Sequence, residues 1–237
     1  MTTTLGIDAE RPLFPHPVIA IDGPAGAGKS TVARALAQRL AFFLLDTGAI
    51  YRSLALLADQ QGISWADGPR LGELAATLPI RFGRGDEDGA VFLAGEPVTT
   101  AIRTPEVSLG ASQVSAHPEV RAMLLELQRQ LARSGPCVVE GRDIGTVVLP
   151  DAPLKIFLTA SPEVRAARRQ KELTARGVKT DAEATLREQQ ERDRRDLTRA
   201  TAPLKCADDA VLYDTSERSL DQVIDELVGI AKQRLGL

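Results

Sequence analysis

Five short blocks of apolar residues punctuate the chain, at 18–21, 41–45, 137–140, 154–158 and 210–213, and each runs into a cluster of small or charged residues. Between them the apolar spacing lengthens to three and four: Val32, Leu36 and Leu40; Val120, Leu124, Leu127 and Leu131; Val223, Leu227 and Ile230. An unbroken apolar run suits a strand covered on both faces, and the longer spacing is one face of a helix. The alternation predicts an α/β fold, a parallel sheet flanked by helices. Helix boundaries follow from caps and breakers. Helices are expected at about 28–39, from 46 to near Gly62, from an Asp67 cap with Pro69 to 78, and at 119–133. Further helices are expected from Ser161-Pro162 to Gly177, from a Thr180-x-x-Glu183 capping box, and from Ser219-x-x-Gln222 to about 235. One segment breaks the rhythm. Residues 80–82 and 91–93 read as short strands around a Gly/Asp-rich turn at 85–89, with a second turn at 94–97. Residues 72–118 are therefore expected to form a small β-containing insert.

The first apolar block leads into Gly23-Pro24-Ala25-Gly26-Ala27-Gly28-Lys29-Ser30-Thr31, a full Gly-x-x-x-x-Gly-Lys-Ser phosphate-binding loop in its strand–turn–helix setting. The glycines let backbone approach an anion where a Cβ would collide. The loop N–H groups converge on phosphate oxygens at a helix N-terminus, which also favours negative charge. Lys29 supplies a mobile positive charge to the β- and γ-phosphates, and Ser30 a hydroxyl ligand for magnesium. The loop indicates a nucleoside triphosphate and leaves the fate of its phosphate open.

Polar residues just past inner parallel strands mark where such sheets bind ligands. Tyr51 and Arg52, after the second block, are candidates for a second substrate, and Glu140, ending the third, for a magnesium-water ligand. Downstream, Arg165, Arg168, Arg169 and Arg176 share one helical face, as do Arg192, Arg195, Asp196 and Arg199. Two such stripes around a glycine turn suit a phosphate-gripping lid. They suit a solvated charged hairpin equally, because Glu172, Glu188 and Glu191 lie among the arginines.

Composition narrows the field without changing it. At 237 residues with a net charge of −3, the chain fits one domain and disfavours general nucleic-acid binding. No apolar run reaches the length of a membrane span. Cys137 and Cys206 have no metal-type spacing and fit a reduced, cytoplasmic setting. His16 and His117 each precede a proline and read as loop histidines. Residues 1–16 read as a loose tail.

With these motifs in place, the chain resembles the bacterial cytidylate kinases. The resemblance is carried by the loop and by Asp46-Thr47-Gly48-Ala49-Ile50-Tyr51-Arg52, Ala111-Ser112-Gln113-Val114-Ser115, Glu140-Gly141-Arg142-Asp143-Ile144-Gly145-Thr146 and Glu191-Arg192-Asp193-Arg194-Arg195-Asp196, with Arg199 after it. It implies transfer of a phosphoryl group from ATP to CMP or dCMP, with magnesium as cofactor. It further implies a kinase domain over 17–234: a P-loop core (17–71, 119–161, 180–234), a nucleoside-monophosphate-binding insert (72–118) and a helical lid (162–179). By the same resemblance Ser112, Arg121 and Asp143 read cytosine, and Tyr51, Arg192 and Asp196 surround the nucleoside. Arg52, Arg142 and Arg199 hold the acceptor phosphate, and Thr47 lies near the substrate. Arg165, Arg168 and Arg169 are the lid arginines expected at the transferring group, with Lys29, Arg142 and Arg199 sharing the catalytic work. The family commonly has Asp where Glu140 stands here. A monomer acting on small molecules, with no nucleic-acid or membrane partner, is expected. A P-loop kinase for another acceptor, such as UMP or AMP, is the alternative.

Overall fold

The computed structural model describes residues 14–175, 177 and 181–237. In chain order the elements are β1 (Val18–Asp22), α1 (Lys29–Leu40), β2 (Phe43–Asp46), α2 (Thr47–Gln60), α3 (Gly68–Ala76), β3 (Ile80–Phe82), β4 (Val91–Leu93), β5 (Glu96–Pro97) and α4 (Pro105–Val114). They continue with α5 (Pro118–Ala132), β6 (Cys137–Glu140), β7 (Leu154–Thr159), α6 (Pro162–Ala175), α7 (Ala182–Thr198), β8 (Val211–Asp214) and α8 (Leu220–Leu235).

The five apolar blocks form one parallel sheet in the order β2-β6-β1-β7-β8. Every residue of β1 is buried, as a central strand covered on both faces requires. Its side chains alternate between two cores. Ile19 and Ile21 pack with Val32, Leu36, Val223 and Leu227, so α1 and α8 cover one face. Val18 and Ala20 pack with Leu45, Ile50, Leu54 and Leu124 on the other. Burying an aliphatic side chain of this size contributes about 1.5–3 kcal/mol. The tail expected through residue 16 ends inside the fold: Phe14 is buried, and His16 Nε2 donates to the Arg133 carbonyl at 3.0 Å.

The insert contains a three-stranded antiparallel sheet, β3-β4-β5, with Phe82 paired to Val91 and Leu93 to Glu96. The turn expected at 94–97 is the hairpin between β4 and β5. Phe82 meets Phe43 of edge strand β2 edge to face, with ring centroids 6.2 Å apart. Ile102, Val107 and Val114 share the core of Ile50 and Leu54, so α4 lies against α2. Trp65, in the turn after α2, donates from Nε1 to the Ala55 carbonyl at 3.0 Å, and its ring fills the space beside Gly110 of α4.

Caps fall close to where the residue types place them. Asp67 accepts from Arg70 N, and Ser219 with Gln222 makes the full capping box of α8. The cap expected at Thr180 lies outside the described residues, as do Arg176, Val178 and Lys179. Asp181 caps α7 instead, accepting from Ala184 N at 2.9 Å. One turn of π-helix at Ile144–Val148, directly after Asp143, was not foreseen from the sequence pattern. No helix among the described residues is long and apolar enough to cross a membrane.

Candidate active site

The site lies beyond the C-terminal ends of the parallel strands, in a cleft of about 1540 Å³ that joins the glycine loop to α2, α4, α5, the 140–143 turn, α6 and α7. β1 delivers the chain to Gly23, where φ is 143° and a Cβ would come within 1.9 Å of the Leu158 carbonyl oxygen. Only glycine passes there. The loop closes through Gly26 and Gly28, and α1 begins with no side-chain cap. Its first-turn N–H groups are therefore the natural partners of an anion. Lys29 is nearly enclosed, and its Nζ donates to the Pro24 carbonyl at 2.7 Å. Burial, reinforced by Arg142, holds its ammonium well below the usual lysine range, against the pull of Glu140.

Ser30 Oγ donates to Glu140 Oε2 at 2.9 Å. β6 sets Glu140 between Ile21 of β1 and Asp46 of β2 in the sheet register. Burial, with Asp46 adding to it, pushes the Glu140 carboxyl up to about 7. Thr47 is buried and donates from Oγ1 to the Glu140 carbonyl at 2.7 Å, which fixes the end of β6.

Arginines face this donor end, most of them held by carboxylates. Arg52 Nη2 meets Asp46 Oδ2 at 2.6 Å, and Asp46 also caps α2 through Ala49 N. Arg142 Nε meets Asp196 Oδ2 at 2.9 Å. Burial raises the Asp196 carboxyl, but Arg142 and Arg192 outweigh it and hold the group below the usual range. Arg192 has a buried Nε without a hydrogen-bond partner, and burial and Arg142 bring its guanidinium down to about 10. At the far end Asp143 is pinned between Arg121, through Oδ2, and Arg199, whose Nη2 lies 3.2 Å from Oδ1. The Arg121 guanidinium lies 5.8 Å over the Tyr51 ring. Ser112 Oγ accepts from Arg195 Nη1 at 3.2 Å.

The expected residues thus converge on one cleft, with two shifts of position. Arg199 pairs with Asp143, which Arg121 also holds, while Arg52 and Arg142 pair with Asp46 and Asp196. Arg165 does not reach the cleft: it is buried, and its guanidinium is spent on the carbonyls of Ala25 and Ala160 and on Asp193. Arg168 lines the cleft but is tied to Thr215, while Arg169 lines it and pairs with Glu172 at 2.9 Å. Three contributors escaped the sequence reading. Asp22, buried at the end of β1, accepts from Ile144 N at 2.8 Å and Gly145 N at 2.7 Å, and so anchors the turn that carries Asp143. Burial raises its carboxyl to about 6 against those two bonds. The rule that singled out Glu140, a carboxylate ending a buried strand, also fits Asp22. Asp46 and Arg195 lay within motifs already noted, without a role.

An anion loop at one end of a cleft and a nest of arginines at the other can bring two polyanions face to face; this is the class of P-loop kinases for small acceptors. A family profile described as cytidylate kinase matches residues 19–233. The cytidylate kinase of Exiguobacterium sibiricum is 50% identical over 92% of this chain and 97% of its own. That of Pelotomaculum thermopropionicum is 53% identical over 90% and 94%. The chain belongs to the cytidylate kinase family. Among solved structures, an uncharacterized protein from Eubacterium ventriosum superposes with a TM-score of 0.52 at 14% identity, over 92% of this chain and all of that one, a likeness of fold alone.

Proposed function

We propose that the cleft transfers the γ-phosphoryl group of ATP to CMP or dCMP, yielding ADP and the cytidine diphosphate. The observation that carries this reading is the single cleft joining the glycine loop to the Arg121–Asp143–Arg199 cluster. No side-chain base is required, because a phosphate monoester with a second pKa of about 6 is already largely ionised near neutral pH. Catalysis is then positioning and charge stabilisation. Lys29 and the loop N–H groups hold the donor phosphates. Arg52, Arg142 and Arg199 receive the acceptor phosphate, each from a carboxylate that keeps it poised: Asp46, Asp196 and Asp143. Entry of CMP exchanges Arg199 from Asp143 to the phosphate and frees the carboxylate for the base. Arg192, with its unpartnered Nε, and Arg169 line the cleft, which supports assigning them to the transferring group.

Ser30 and Glu140 would hold magnesium: their hydroxyl and carboxylate oxygens, 2.9 Å apart at the loop mouth, are the hard oxygen donors that ion takes. When bound, the ion neutralises charge on the donor phosphates.

Cytosine offers an amino donor at N4 and acceptors at N3 and O2. Asp143 accepts from N4, while Arg121 and Ser112 donate to the acceptors. Because Arg195 already donates to Ser112 Oγ, the serine proton is free to point at the base. Uracil reverses the polarity at two positions and leaves buried partners unmatched, at about 1–3 kcal/mol each. The test is ADP production from ATP and magnesium with CMP, dCMP, UMP, AMP or GMP as sole acceptor. Turnover confined mainly to CMP and dCMP is expected. UMP matching CMP would refute the base assignment, and no acceptor dependence would refute the kinase reading.

A further inference from the structure

A phosphate-binding loop works only while its N–H groups point inward, which turns its carbonyls outward, where they need donors of their own. Here three of the loop's carbonyls have donors, of which Lys29 and Arg168 line the cleft while Arg165 does not. Lys29 Nζ donates to Pro24 O at 2.7 Å, Arg165 Nη1 to Ala25 O at 3.0 Å, and Thr215 Oγ1 and Arg168 Nη1 to Ala27 O, both at 3.4 Å. Arg165 is the best held of these donors. Its Nε donates to Ala160 O at 3.0 Å and its Nη1 meets Asp193 Oδ2 at 2.6 Å. Gln189 Nε2 of α7 donates to the Arg165 carbonyl at 3.3 Å. That amide and that carbonyl stand 2.7 and 3.0 Å from where a Cβ on Gly26 would lie, so the base of the α6–α7 hairpin presses directly on the loop.

We propose that Arg165, braced by Asp193, is a positioning residue that holds the donor-phosphate loop in its binding shape from outside the cleft. The proposal rests on reading the glycine loop as the ATP site. It separates Arg165 from the arginines that meet phosphate and divides the lid: its base belongs to the loop, and only residues farther along α6 and α7 are free to act on substrate. A shape-holding contact serves ground and transition states alike, so its loss weakens donor binding and leaves turnover at saturation nearly intact. Lysine, a point charge without the planar fork, replaces only part of the arrangement.

The experiment compares Arg165→Ala, Arg165→Lys and Asp193→Asn with the unaltered enzyme. It measures binding of magnesium–ADP and of CMP by calorimetry, steady-state kcat and KM for both substrates, and thermal melting. For Arg165→Ala, Kd for ADP and KM for ATP are expected to rise about tenfold or more, with CMP binding within about twofold and kcat within about threefold. Arg165→Lys should fall between, and Asp193→Asn should move the same way by less. Should Arg165→Ala not fold, those two variants decide the matter. A loss in kcat of about a hundredfold with ADP binding unchanged would overturn the proposal and place Arg165 on the transferring group. Equal losses of ADP and CMP affinity, or none, would also overturn it. Failure of the unaltered enzyme to bind ADP would instead refute the donor-loop reading beneath it.

Discussion

Asp22 and Glu140, at the ends of β1 and β6, are carboxylates kept from water, raised from 3.8 to about 6 and from 4.5 to about 7. A raised carboxyl contributes stability that is complete below its ordinary value and lost as pH climbs through its folded value. The protein without nucleotide or magnesium should therefore lose this contribution between about pH 4 and 7.5. Glu140→Gln cannot ionise and keeps an oxygen for the Ser30 hydroxyl. Urea denaturation should show it equal to the parent below about pH 4 and more stable near pH 8, by on the order of 2 kcal/mol. Parallel pH profiles would rule out the assignment. Asp143 is constrained differently, since both its oxygens are held by buried arginines. Removing it leaves those charges uncompensated, a loss of about 3–5 kcal/mol. Asp143→Asn is the milder probe and should lower kcat/KM for CMP by about tenfold or more while ADP binding changes by less than about threefold. Losses of equal size on both sides would count against Asp143 as the base reader. Glu140 was legible because a buried strand that ends in a charged group has few other uses; Asp22 fits the same rule but was not singled out, and Asp143 was named only through the family resemblance. The place of Arg165 was not legible: helical spacing gives its face, while the packing of α6 on the loop decides what that face meets.

Among elements, the strands and most helices were readable because continuous apolar runs and the three-to-four spacing are different patterns, and because capping residues sit where helices begin. The π-turn after Asp143 had no such signal. Its shape comes from Asp22, over 120 positions upstream, accepting from two of its N–H groups. The α7 start is set by Asp181, one residue beyond the expected Thr180, as two neighbouring cap-forming side chains allow. Local caps should be worth their usual amount where nothing else holds the helix. Ser219→Ala removes the bond its hydroxyl accepts from Gln222 N, leaves the backbone bond to Gln222 Oε1, and should cost about 1 kcal/mol in urea denaturation, with activity unchanged. Gly23→Ala sets a methyl against the Leu158 carbonyl in a backbone shape alanine avoids, so it should cost at least about 2 kcal/mol and abolish ADP binding together. A stable Gly23→Ala enzyme with normal ADP affinity would contradict the close approach of β1 to β7.

At the scale of the whole molecule, two cores divide along the central sheet. One backs the glycine loop through α1 and α8, and the other backs the opposite side of the cleft through α2, α4 and α5. The sequence placed the insert at 72–118 from its change of pattern, yet α4 shares the core of α2, because Val107 and Val114 are as apolar as the residues they meet. The cleft between these halves is where two substrates must be brought together and water excluded. The sole tryptophan sits on the half proposed to take the acceptor: Trp65 packs against Gly110, two residues before Ser112, and lines a smaller cavity with Arg195 and Arg199. Its position makes it an optical gauge built into the chain. Emission excited at the indole band should shift when CMP is added and stay level when ADP is added, so a rapid-mixing trace would time the arrival of one substrate without a label and without interference from the other.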